Sequence, residues 1–142
     1  MSRFWSLEPE VAGDLGDGSE VDGSVHPPTV HKLQYRFSGW LGDELLETFP
    51  CFIVTESLAS ALVSAGFTGM CLDSVEVTTS EEFEDIYPGR KLPVFRWLNV
   101  TGTAGVDDLG LSARHTLIVS DAVLRLLRKH TISQCDVEEY KG

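Results

Sequence analysis

Residues 116–140 read TLIVSDAVLRLLRKHTISQCDVEEY, and their reading decides the fold. Leu117, Ile118 and Val119 are a short apolar run rich in β-branched residues, the mark of a buried strand. Ser120 and Asp121 then offer N-cap side chains, and no Gly or Pro interrupts the residues that follow. Val123, Leu124, Leu126 and Leu127 recur at helical spacing, while Arg125, Arg128 and Lys129 fall on the outward side near the negative end of the helix dipole. Residues 132–140 return as an extended segment.

The same grammar occurs earlier. Residues 51–77 read CFIVTESLASALVSAGFTGMCLDSVEV. Setting Ile53 on Ile118 aligns Val54 with Val119, Thr55 with Ser120, Glu56 with Asp121, Leu62 with Leu127 and Phe67 with Ile132, all at an offset of 65 residues. The cysteines fall one position out, Cys71 against Cys135. Thr55 is the expected N-cap of the first helix, Leu58, Ala61, Leu62 and Ala65 its core stripe, and Gly66 its stop. Two strand–helix–strand units thus predict an approximate internal duplication, with the helices related by a pseudo-twofold.

Outward from these units the signals weaken. Phe4, Trp5 and Leu7 suggest a first edge strand or an arm. Residues 8–25, EPEVAGDLGDGSEVDGSV, are acidic and Gly-rich and read as an exposed loop or loose hairpin. Asp14, Asp17, Glu20 and Asp22 raise calcium, but the EF-hand spacing fails: Gly16 stands at the third position and no Glu at the twelfth. Residues 30–37 alternate as a half-buried strand. His26 and His31 have no third ligand in a compact motif. Residues 43–49 predict one or two helical turns with Leu45, Leu46 and Phe49 inward, after a turn anchored by Trp40. Residues 70–78 form the first return strand. Ser80 caps a turn in which Phe83 and Ile86 pack down. Residues 92–100, LPVFRWLNV, are β-prone, and Pro93 places them at an edge or at a strand's first residues.

The expected fold is therefore α+β: about six or seven mainly antiparallel strands in one curved or mixed sheet, with the helices near 56–65 and 121–130 on one face. A short third helix lies near 43–49. Length predicts a single domain over 1–142.

Composition limits function. Lys and Arg number 11 against 22 Asp and Glu, and both halves of the chain are acidic. Nothing basic is set out for a phosphate backbone, which disfavours nucleic acid. No apolar run reaches the roughly 20 residues of a membrane span, and the N-terminus lacks an apolar signal core. Three cysteines without CxxC or Cys/His clustering predict buried thiols in a reducing cytoplasm rather than a disulfide or zinc site. Phosphate-loop, dinucleotide, zinc-protease and serine-hydrolase motifs are all missing. No cofactor and no metal is expected.

Two acidic groups are candidate sites. Glu81, Glu82, Glu84 and Asp85 place four carboxylates in five residues, a solvated face or a docking site for a basic partner. Asp107 and Asp108 are candidate partner contacts, or, with His115, an unmarked hydrolytic centre; adjacent carboxylates more often make turn hydrogen bonds.

The segments GWLGDELLE, PCFIVTESLASAL, GFTGMCLDSVEV, LPVFRWLNVTG, DDLGL and LIVSDAVLRLLRKHTISQC, spanning about residues 38–140, together resemble a group of small uncharacterised bacterial proteins. The segment VSDAVLRLL, followed by the strand that bears Cys135, is also similar to the C-terminal part of immunity proteins found beside polymorphic or contact-dependent toxins, the swarming-inhibition type included. The double CxxC motif of some relatives is absent here, so no zinc is implied. The resemblance implies a cytoplasmic, non-enzymatic protein that occludes a cognate toxin domain, and it carries over no catalytic residue. Composition alone leaves a structural or regulatory homodimer, paired through an edge such as 93–100, equally open.

Overall fold

The computed structural model describes residues 3–141. Its two largest sheets are built on the two units. Cys51–Thr55 (β7) leads into helix Glu56–Ala65 (α1) and returns as Met70–Asp73 (β8). Leu117–Ser120 (β12) leads into Asp121–Leu127 (α3) and returns as Asp136–Glu139 (β13). Thr55 and Ser120 are the N-caps, their side chains accepting from the amides of Leu58 and Val123. Gly66 ends α1 in the left-handed region, at φ 71°. The apolar stripe of α1 is shifted from expectation: Leu58, Ala59 and Leu62 are buried and Ala65 is exposed.

Neither return strand pairs with the strand that opened its unit. Phe95–Val100 (β10) lies between β7 and β8, antiparallel to both. Phe4–Glu8 (β1) lies between β12 and β13 in the same way. Registers show the equivalence: Leu98 faces Phe52 and Leu72, and Leu7 faces Leu117 and Val137, each partner again 65 residues on. On the outer side, Leu45–Thr48 (β6) pairs with β7 and Leu109–Leu111 (β11) with β12. The orders β6-β7-β10-β8 and β11-β12-β1-β13 therefore match strand for strand. Taking each repeat to begin with its inserted strand, β1 and β10 each complete the other repeat's sheet. The halves are interlocked, and the duplication is in the architecture as well as in the sequence.

Three expectations fail here for physical reasons. The single sheet of six or seven strands becomes 13 strands in four sheets among the described residues, the two largest separate because each unit encloses a strand from elsewhere. Residues 43–49 hold strand β6, not a helix: Leu45 and Leu46 are both buried because the two faces of this sheet are both covered, and Phe49 is exposed at the β6–β7 turn. Residues 93–100 are not an edge, since β10 is hydrogen-bonded on both sides, so they offer no free strand edge for pairing with a second copy.

The main core joins the two sheets and the two helices, through Leu7, Phe52, Leu62, Leu98, Val119 and Leu127 among others. A second core lies on the other face of the β6–β7–β10–β8 sheet. There Gly13–Leu15 (β2), Gln34–Phe37 (β5) and Glu76–Thr79 (β9) form a small mixed sheet, with β5 and β9 parallel. The predicted single return strand 70–78 is thus divided between two sheets. Helix Glu81–Ile86 (α2) covers this core with Phe83, whose ring lies edge-on to Phe37; Ile86 points outward, against expectation. The expected acidic loop is partly ordered, as β2 and as a hairpin of Glu20–Asp22 (β3) with Thr29–Lys32 (β4). Among the described residues no helix is long and apolar enough to cross a membrane.

Candidate protein-binding site

The acidic residues of the chain divide into those that hold the fold together and those that do not. Glu44 belongs to the first kind. Its Oε1 accepts from the Thr55 hydroxyl at 2.8 Å and lies 3.2 Å from His130 Nδ1, and its Oε2 accepts from the Thr131 amide at 2.9 Å. Asp108 does the same in the other half: Oδ1 accepts from the Ser120 hydroxyl at 3.0 Å, and Oδ2 from the Thr68 amide at 3.0 Å and the Thr68 hydroxyl at 3.3 Å. Each carboxylate fastens its own repeat's helix cap to the chain that leaves the other repeat's helix. Burial pushes the Glu44 carboxyl up, but the Thr131 amide, the Thr55 hydroxyl and His130 outweigh it, leaving it below the ordinary value.

Asp107 and Asp108 are therefore turn residues in the main. Asp107 Oδ2 accepts from the Thr103 amide at 2.7 Å. His115 lies beyond the far end of β11, against Phe49 at 5.7 Å between ring centres. A three-residue strand, roughly 10 Å, separates it from the two aspartates, and the described cavities that His115 lines include neither of them. The three side chains are not brought together. Among the described residues no group of three or more His, Cys, Asp or Glu is placed to hold a metal ion.

Two surfaces carry groups of carboxylates that no ion pair balances among the described residues. The first is α2, as expected from sequence. Glu81, Glu82, Glu84 and Asp85 are exposed around buried Phe83; Glu84 accepts from the Thr79 hydroxyl, and none of the four has an ion-pair partner among the described residues.

The second surface was not visible in sequence. A cleft of about 390 Å³ between β1, the β6–β7 turn and β13 is lined by Glu8, Glu10, Glu47 and Asp136, with Arg114 and Phe49 at its rim. Pairing of β1 with β13 sets Glu8 against Asp136, and a bridge between Glu10 and Leu46 brings β6 alongside. Glu10 is held by the amides of Leu41 at 2.8 Å and Asp43 at 3.4 Å; even so, burial, with Asp43 nearby, raises its carboxyl above the ordinary value. Glu47 is half-buried and its carboxyl receives no hydrogen bond or ion pair among the described residues. Burial, then the charge of Glu8, raises it too. Four carboxylates thus meet one guanidinium, in a partly desolvated setting where a cation brought from outside gains most.

The only sequence signal for this cleft was the general excess of acid. Its members stand at positions 8, 10, 47 and 136, and only the exchange of β1 into the other repeat's sheet assembles them. Trp97 is half-buried against the second core. Comparison of the chain with protein-family models and with curated proteins finds no match.

Proposed function

We propose that this is a non-enzymatic binding protein that takes a basic protein partner, most specifically an immunity protein that occludes a cognate toxin domain. The observation that carries the reading is Glu47: a half-buried carboxylate without a partner among the described residues, beside three more, in an open cleft. Such a group costs stability unless something positive arrives. A Lys or Arg from a partner would satisfy it, while the acids of α2 and the net charge of −11 would speed encounter. The segment that resembles immunity proteins supports the same reading, which implies a cytoplasmic place of action.

The test is co-expression with the product of each neighbouring reading frame. A stoichiometric partner that is toxic alone and tolerated with this protein is expected. Glu47→Lys combined with Glu8→Lys should then slow association at least about tenfold at low salt, with the difference shrinking as salt screens it. Unchanged association at low salt, or no toxic partner among the neighbours, would overturn the proposal.

A further inference from the structure

A second concavity, about 660 Å³, lies at the start of α1, and its walls are apolar: Trp40, Pro93 and Val94, with Glu44, Thr55 and Glu56 along one side. The internal duplication shows what the fold needs at this place. The Glu56 amide donates to the Val94 carbonyl at 2.9 Å, and in the other half the Asp121 amide donates to the Arg3 carbonyl at 3.1 Å. The backbone contact is repeated but the side chain is not: Arg3 is charged and pairs with Glu139 at 3.9 Å, whereas Val94 is 66% exposed. Trp40 likewise has Ala104 at the equivalent position, 64 residues on. Trp40 also serves the fold, its ring edge-on to Phe95 of the second core at 6.0 Å between centres, but Val94 is left exposed, an apolar side chain that the repeated backbone contact does not require.

The groove adjoins the acidic helix. The guanidinium of Arg90 lies 4.8 Å from the Trp40 ring centre and 4.9 Å from that of Tyr87, which caps the C-terminus of α2. Leu41 beside Trp40 and Ile86 beside Tyr87 are also exposed, at 67% and 62%. Arg90 thus links the Trp40 wall of the groove to the C-cap of a helix whose four carboxylates have no ion-pair partner among the described residues.

From this juxtaposition we infer that the Trp40–Pro93–Val94 groove seats one apolar side chain of a partner protein segment in which Lys or Arg flanks that side chain, the basic residues lying against α2. The inference rests on the basic-partner reading above and adds an anchor separate from the acidic cleft. Apolar anchors in desolvated pockets, with charges at their edge, are the usual distribution of binding energy at interfaces. A second copy of this chain fits poorly, because like charges of −11 would meet.

The test uses three blocked six-residue peptides on the full chain, followed by the amide and indole resonances of labelled protein. The probe is Gly-Arg-Lys-Phe-Lys-Gly; one control replaces Phe by Ala, and the other is Gly-Glu-Glu-Phe-Glu-Gly. The probe is expected to move the Trp40 indole and the Ser57 amide, with each control binding at least about tenfold more weakly. Val94→Glu, at an exposed site where the fold tolerates change, should weaken the probe by a similar factor. Glu81→Lys with Glu82→Lys should weaken it only at low salt. A Trp40 indole that stays still at about 5 mM probe overturns the inference. Shifts confined to Glu47 and Asp136 would refute the groove and leave the acidic cleft standing. Equal binding of the acidic peptide would refute the basic partner as well.

Discussion

Replacing Glu44 by Ala removes the acceptor for the Thr55 hydroxyl and the Thr131 amide and the contact with His130, so it measures what the interlock between the halves contributes. Hydrogen bonds to a charged acceptor contribute about 1.5–3 kcal/mol each when buried. The Glu44 side chain is 21% exposed, so water replaces part of the loss. About 1 kcal/mol for each of the three contacts gives roughly 3 kcal/mol. In a chain of this length that corresponds to a fall in Tm of about 10 °C. The effect depends on pH. The Glu44 carboxyl lies below its ordinary value in the folded state, so its contribution is complete above the unfolded value near ~4.3 and is lost as pH falls through the folded one. The gap between wild type and variant should be widest at neutral pH and narrow in acid. Thermal and urea unfolding at several pH values measure it, with Glu81→Ala as the exposed control. A Glu44→Ala protein within about 0.5 kcal/mol of wild type at neutral pH would refute the bracing role. The equivalent change Asp108→Ala should cost a similar amount, and a loss of some activity with unchanged stability would return Asp108 to the list of functional groups.

Leu62→Asp combined with Leu127→Asp buries two charges in the core shared by the helices and should leave no cooperative unfolding transition by circular dichroism; a folded double variant would mean the helices are not core elements. One fast-reacting thiol per chain is expected, that of exposed Cys71, and it should vanish in Cys71→Ser; burial pushes the Cys51 and Cys135 thiols up to about 12, so they should react slowly. Glu47→Gln should stabilise the free protein at neutral pH while weakening partner capture. Burial raises this carboxyl in the folded state, so wild-type stability falls as pH rises from the ordinary carboxylate value through the raised one, and the Gln side chain removes that slope.

The sequence carried the two units because their cues are local. A β-branched run, a hydroxyl cap and a leucine stripe occupy adjacent residues, and the 65-residue offset repeats them. What it concealed depends on pairing between distant residues. Nothing near Phe4 or Phe95 says that each strand crosses into the other repeat's sheet. Leu45 and Leu46 read as helical in sequence because a strand buried on both faces shows the same run of apolar residues as a buried helix. The acid face of α2 was legible, since its four members are neighbours. The cleft of Glu8, Glu10, Glu47 and Asp136 was not, since it exists only once β1 lies beside β13.

The duplication also sorts function from structure. Where the two halves agree, the residue serves the fold: Thr55 and Ser120 as caps, Glu44 and Asp108 as braces, Leu98 and Leu7 in the core. Glu56 and Asp121 agree as well, one pairing with Arg96 at 3.6 Å and the other accepting from the Trp5 indole at 3.2 Å. Where the halves differ, packing has not dictated the choice. Glu47 in β6 stands where β11 has Leu111, since the registers set these two opposite Phe52 and Leu117. A half-buried apolar position in one half is thus a half-buried, unpartnered carboxylate in the other. Val94 and Arg3 differ in the opposite sense, apolar where the counterpart is charged. Both departures cost free energy in the isolated chain, one by desolvating a charge and one by exposing apolar surface. Both costs fall away if one partner covers both places, a cation over Glu47 and an apolar side chain against Val94. This is why the two sites are read together rather than as separate accidents of a drifting repeat.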